Sequence, residues 1–198
     1  MKIKDIPGAT PLDEETLQGL IPSLTTQSEL NEFEAENIAE AVQWAFTSRK
    51  MKKDLLSATG LIALHKKMFD QTWKWAGTFR KCETNIGVDP KNIQSELAAL
   101  LGDVKYWLEN KTYPIDEIAI RVHHKLVWIH PFPNGNGRFS RLACDLLLRF
   151  NGAEKFEWGW GSEDLMAQSE DRTFYIQSLK RADKMGDYAD LLRFARGK

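Results

Sequence analysis

Two apolar helical patterns, separated by nine residues that continue neither of them, constrain this chain more than any other feature. Ile115, Ile118, Val122, Leu126 and Ile129 recur at helical spacing behind Pro114, and Phe139, Leu142, Ala143, Leu146 and Phe150 resume it. Between them stands HPFPNGNGR, residues 130–138. Pro131 biases His130 away from the α region, so the first helix stops there, and Asn151-Gly152 closes the second. A polar, glycine-rich loop thus leads directly into an apolar-faced helix.

The same periodicity predicts an all-α fold for most of the remainder. Thr26-Gln27-Ser28-Glu29 has capping-box form, and Leu30, Phe33, Asn37, Ala41 and Trp44 follow as the inward face of a helix of about twenty residues. Leu55, Ala58, Ile62, His65 and Phe69 mark a second helix. Asp89-Pro90 starts another, with Ile93, Leu97, Leu100, Val104 and Trp107 on one face. Two more are expected near 163–182 and 187–196. Only residues 77–88, GTFRKCETNIGV, break the pattern, and a small β-hairpin is the expectation there. Residues 1–25, rich in Pro and Gly, read as an arm laid over a single domain spanning 26–198. The 198 residues are 42% apolar and 28% charged, ordinary for one globular unit, and the net charge of −1 gives no global pull toward nucleic acid or an anionic membrane. No long apolar run or secretory h-region occurs, and Cys82 and Cys144 match no ligand spacing, so a reduced, cytoplasmic setting is expected, bacterial or eukaryotic alike.

The loop carries the chemistry. Arg138 and Arg141 are three residues apart and share a face of the helix that starts near Gly137. A helix N-terminus already bears partial positive charge, so two guanidiniums there are unfavourable unless an anion resides with them. The backbone of Gly135, Asn136 and Gly137 can turn its N–H groups inward as an anion-binding nest. Together these features describe a phosphate site, although no Walker A sequence is present. His130, at the other lip, is placed to take a proton from an incoming hydroxyl. Asn134 offers an amide oxygen to a phosphate-bridging Mg²⁺, and Phe132 is expected to turn inward as the loop's anchor. A plain interhelical turn explains either half of the pattern, but not both halves together.

HPFPNGNGRFSR resembles the Fic signature HxFx[D/E]GNGRxxR, with His130, Phe132, Gly135, Asn136, Gly137, Arg138 and Arg141 in register. WKWAGTFR (73–80) looks like that family's lead into its active-site hairpin, and FYIQSLKRAD (174–183) like its C-terminal helix. With PLDEETLQGLIP, ELNEFEAENI and NIGVDP, the chain looks most like the short bacterial Fic/Doc proteins called mobile mystery protein B. The resemblance implies a Fic-fold helical bundle that transfers AMP from ATP, with Mg²⁺, to a Ser, Thr or Tyr hydroxyl of a target protein. It makes His130 the general base, gives the phosphates to the 135–137 backbone and Arg138, and gives the γ-phosphate to Arg141.

One position departs from the signature: Asn134 stands where the family has Asp or Glu, which weakens a Mg²⁺ site. Many Fic proteins restrain themselves with a helix bearing [S/T]xxxE[G/N]. Within 26–49 only Glu36-Asn37 match, which implies an inhibitory Glu36–Arg141 pair, while Glu29, Glu32, Glu36 and Glu40 also read as a solvated stripe. The flap at 77–88 would clamp an extended target through Ile86 and Val88, or those two simply pack the hairpin. Arg172 and Tyr175, with Trp158 and Trp160, are candidates for a base pocket, and His65, His123 and His124 read as structural or exposed. Alternatives to adenylyl transfer are transfer of another nucleotide or of a phosphate, removal of AMP from a modified protein, or a catalytically weak nucleotide-binding module. Oligomeric state is left open by the sequence.

Overall fold

The computed structural model describes residues 14–159 and 170–197. In chain order its helices are α1 (Glu14–Leu17), α2 (Gln27–Thr47), α3 (Arg49–Asp54), α4 (Ala58–Phe69), α5 (Ile93–Asn110), α6 (Ile115–Ile129), α7 (Asn136–Phe150), α8 (Glu170–Met185) and α9 (Ala189–Ala195). The capping box at Thr26 forms as its sequence requires: Thr26 Oγ1 accepts from the Glu29 amide at 3.2 Å, and Glu29 Oε2 accepts from the Thr26 amide at 3.0 Å. Leu55 falls outside the second helix, because Ser57 caps α4 through Gly60 N–H at 3.0 Å. The elbow between α3 and α4 is tight enough that any Cβ on Gly60 would strike the Asp54 carbonyl. Asp89-Pro90 opens a 3-10 turn, Pro90–Asn92, that leads into α5.

Helices α6 and α7 pack along each other, with α5 and α9 against α6, while α2 and α4 cover the loop-bearing end of α7. The core between them is built from the expected apolar faces, Ile118, Val122, Leu126 and Ile129 of α6 and Phe139, Leu142, Ala143 and Leu146 of α7, all buried. Residues 1–13 of the expected arm lie outside the described residues. The rest of the arm is tied down by backbone bonds, Ile21 N–H to Thr72 O at 2.9 Å and Lys74 N–H to Gly19 O at 2.8 Å.

The expected hairpin at 77–88 does not form: among the described residues no strand occurs, and the one bridge is an isolated contact of Leu20 with Trp73. Its backbone groups are spent elsewhere. Arg80 N–H donates to Pro131 O at 3.0 Å and Val88 N–H to Ile129 O at 3.4 Å. The Arg80 guanidinium fills the interior of the would-be hairpin, donating to the carbonyls of Cys82 and Val88. The flap is an irregular segment sewn to the start of the loop. None of the described helices is long and apolar enough to cross a membrane.

Candidate functional site

The loop between α6 and α7 is held by side chains acting on its backbone. Asn136 spans it: Oδ1 accepts from Phe132 N–H at 3.0 Å, and Nδ2 donates to Phe132 O at 2.8 Å. Asn134 Oδ1 accepts from Gly135 N–H at 2.6 Å. Below it lies His65, fully buried, with its ring stacked 3.7 Å from that of Phe132. His65 Nδ1 accepts from Gly77 N–H at 3.0 Å, so Nε2 carries the proton and donates to Asn134 O at 3.1 Å. Burial pushes the His65 pKa down to about 3, which keeps this tautomer neutral. Phe132 turns inward as expected, and His65 is structural as expected.

Gly135 occupies φ +76°, and a Cβ there would come within 2.5 Å of the Phe69 ring, so conformation and space both demand glycine. It precedes the first residue of α7, whose N-terminus receives no side-chain cap. The N–H groups that open that helix are therefore offered to whatever sits above the loop. Arg138 and Arg141 flank them, in quite different states. Arg138 Nη1 donates to Glu34 Oε2 at 2.7 Å, with its guanidinium 5.0 Å from the centre of the Phe69 ring. Arg141 runs beside Gly137, 3.7 Å from where a Cβ would be. Burial lowers its pKa, the Tyr175 hydroxyl is its first polar neighbour, and no carboxylate forms an ion pair with it among the described residues. A half-buried cation that no carboxylate bridges among the described residues, beside an uncapped helix N-terminus, is a setting that favours an anion.

His130 closes α6 in the left-handed region, φ 53° and ψ 61°. A non-glycine residue there costs roughly 1–2 kcal/mol, and the cost is offset by Arg80 Nε, which donates to His130 O at 2.6 Å. The residue is 5% exposed. Nδ1 faces Val127 O at 3.3 Å, and a carbonyl can only accept, so Nδ1 bears the proton and Nε2 the lone pair. Burial first, and the Arg80 charge in the same direction, bring the His130 pKa down to about 4 despite the Val127 bond. The group is a neutral imidazole with its basic nitrogen at the rim of the loop.

Several expected roles move. Glu36 is exposed on α2, and the glutamate that reaches the loop is Glu34, which takes Arg138 and not Arg141. The cause is helical phase: Leu30, Glu34, Asn37 and Ala41 are the buried positions of α2, whereas Phe33, expected inside, is 39% exposed. Asn136 is committed through its side chain to the loop, leaving only its backbone for an anion. Among the described residues Tyr175 lines no open pocket. It is buried, and its hydroxyl lies 3.0 Å from His123 Nε2 and beside Arg141. Arg172 is half-buried on α8 near Tyr175, Trp158 donates to Asp145 at 3.1 Å, and Trp160 lies outside the described residues. Ile86 is 41% exposed on the flap, while Val88 packs against the core. His123 and His124 are buried and bonded, as structural histidines are.

Arg80 and Glu34 are the residues bonded to the loop that the sequence pattern did not single out. A charged residue in the buried phase of α2, four after Leu30 and three before Asn37, was the available signal for Glu34. Arg80 had no local signal, since its partners are carbonyls scattered over residues 82–130.

Residues 55–148 match the family model described as Fic/DOC family. The chain is 32% identical over 122 residues, 60% of its length, to a protein from Drosophila grimshawi named protein adenylyltransferase Fic, and spans 23% of that protein. A Nematostella vectensis protein of the same name is 25% identical over 173 residues, covering 85% of this chain and 38% of its own. The chain therefore spans less than half the length of these curated relatives. Among solved structures, BepC from Bartonella tribocorum with bound AMPPNP superposes with a TM-score of 0.66 at 18% identity, covering 93% of this chain and 97% of that one. Fic-1 (aa134–508) from C. elegans gives 0.65 at 22% identity, over 91% of this chain and 51% of that one. These likenesses establish the fold.

Proposed function

We propose, from the match of residues 55–148 to the Fic/DOC family model, that this chain is a protein adenylyltransferase, moving AMP from ATP to a hydroxyl of a target protein. Arg141 carries the reading. A half-buried guanidinium with no ion pair among the described residues, beside the uncapped start of α7, suits a polyphosphate.

In the proposed step the triphosphate rests on the amides that open α7, with Arg138 and Arg141 on its flanks. The target oxygen attacks the α-phosphorus as His130 Nε2 takes its proton. The new oxygen–phosphorus bond forms while the bond to the β-phosphate oxygen breaks, and pyrophosphate leaves with its charge against the arginines. The hydroxyl type, Ser, Thr or Tyr, belongs to this proposal, as does Ile86 as the flap's contact with the target. Mg²⁺ is implied by the resemblance, but the loop offers it one neutral oxygen, Asn134 Oδ1, already accepting from Gly135 N–H. That is a poor fit for a hard dication, and the chemistry above rests on the protein's own groups. The mobile mystery protein B subgroup, a bacterial source and a cytoplasmic setting are proposed on the same resemblance.

Asn134 also supports a second reading, a weakly catalytic nucleotide-binding module. α- and γ-labelled ATP, incubated with the protein and a cell lysate, separate the two. Label retained in protein from the α position, and lost by about 10²–10⁴-fold in His130→Ala, is the expected result. Retention of the γ label indicates phosphoryl transfer, and binding with neither label retained indicates the module.

A further inference from the structure

Glu34 is the carboxylate nearest the phosphate site by its contacts, and its surroundings decide what it does there. A removable inhibitor would have to occupy the edge of the guanidinium that phosphates need and leave without stranding anything. Glu34 does neither. It engages Arg138 through Nη1 alone, at 2.7 Å, and Nε and Nη2 take no bond among the described residues. The edge of the arginine carrying those two nitrogens is left for an anion. The other carboxylate oxygen, Oε1, accepts from the indole N–H of Trp73 at 2.7 Å, and Trp73 is 1% exposed. Withdrawing Glu34 would leave a buried indole donor without its acceptor. One turn further along α2, Asn37 accepts from Gln71 N–H at 3.1 Å and donates to Lys67 O at 3.2 Å. The helix is thus bonded to the end of α4 and the turn after it at two successive buried positions.

We infer that Glu34 is a positioning residue, a fixed strut running from the Trp73 indole to Arg138 that aims the free edge of that arginine at the phosphates, and that α2 is a permanent wall of the site. The inference rests on reading the loop as a nucleotide site. Trp73, held beneath the stacked ring of Trp75 at 5.0 Å, is the far end of the strut.

The test compares wild type, Glu34→Gln and Trp73→Phe by ATP affinity in calorimetry, by α-label transfer into a lysate at limiting and saturating ATP, and by thermal melting. Glu34→Gln keeps the side chain's size while removing its charge, and Trp73→Phe removes only the indole donor. A strut predicts that Glu34→Gln lowers kcat/KM for ATP about tenfold or more, and that Trp73→Phe shifts it the same way by about threefold. Glu34→Asp carries the comparison should Glu34→Gln fail to fold. A gain in ATP affinity or transfer in Glu34→Gln would make Glu34 an inhibitor and overturn the inference. A lower melting temperature with kcat/KM unchanged would reduce it to a structural residue, with the same consequence. Wild type that binds no ATP overturns the nucleotide reading itself, and the strut with it; wild type that binds ATP no better or worse than Glu34→Gln overturns the strut alone.

Discussion

The active-site loop, 130–138, and the flap, 78–88, are both irregular and lie against each other, yet they are held in opposite ways. The loop is braced from within and below: Asn136 bridges Phe132, Asn134 holds Gly135, and His65 supports Asn134 from underneath. The flap is held at its ends by two backbone bonds and otherwise by one guanidinium, Arg80, whose bonds run to its own Cys82 and Val88 and across to Ile129 and His130. The loop's rigidity comes from many short-range bonds. Between its two ends, which are bonded to residues 129–131, the flap carries an exposed Ile86, an arrangement suited to a surface that adapts to a partner.

Acid should separate the two regions most strongly. His65 and His130 have folded pKa values of about 3 and about 4, below the ordinary 6.5, because burial disfavours their charged forms. The unfolded chain takes up those protons first as pH falls, so stability is fully present above about 6.5 and is lost through the window down to 4 and then 3. At 1.36 kcal/mol per unit this amounts to roughly 3–5 kcal/mol for each histidine. Asp145, raised to about 6 mainly by burial, works in the opposite direction and returns part of the loss between 6 and 3.8. Denaturant titrations at pH 7 and pH 5 should show a lower midpoint at pH 5. Hydrogen exchange should show the amides of 131–137 deprotected before those of the flap, which contains no histidine. Simultaneous deprotection would break the contrast.

Removing Arg80 tests the other side. Arg80→Ala strips donors from carbonyls of Cys82, Val88, Ile129 and His130, and a loss of about 2–4 kcal/mol is expected in chemical denaturation. Exchange should accelerate across 78–88 while the Asn136 clamp keeps Phe132 N–H protected. If the clamp opens as well, the loop is no more self-supporting than the flap. Asn134→Asp sharpens the loop's own chemistry, since it supplies the missing charge. Mg²⁺-dependent ATP affinity should rise about tenfold, or 1.4 kcal/mol, by calorimetry with and without the ion.

How much of this the sequence carried depends on the range of the interactions. The helices of the core, the inward Phe132, and the grouping of His130 with Arg138 and Arg141 follow from periodicity and spacing along one stretch of chain. The hairpin expected at 77–88 does not form because its backbone partners are residues 129–131, some fifty positions away, and no local pattern encodes that pairing. Glu36 follows from the family pattern, in which the glutamate precedes Gly or Asn, whereas helical phase turns Glu34 inward with Leu30, Asn37 and Ala41. Tyr175 looked available to a nucleotide because nothing in a sequence reveals that its hydroxyl already lies between His123 and Arg141.

The smallest expected effect is the one most particular to the flap. Ile86 is exposed and Thr84 Oγ1 donates to its carbonyl at 2.6 Å, so the turn keeps its shape whatever side chain Ile86 bears. Ile86→Ser should therefore change stability by no more than about 0.5 kcal/mol and leave ATP affinity untouched. Its cost should fall on the protein acceptor, as a several-fold rise in the target concentration needed for half-maximal label transfer. The loop offers no comparable position: at Gly135 the smallest side chain meets Phe69, and Asn136 and Phe132 are buried. If Ile86→Ser instead weakened ATP binding, the flap would be part of the nucleotide site. The division between a rigid phosphate cradle and an adaptable docking edge would then be wrong at its most exposed point.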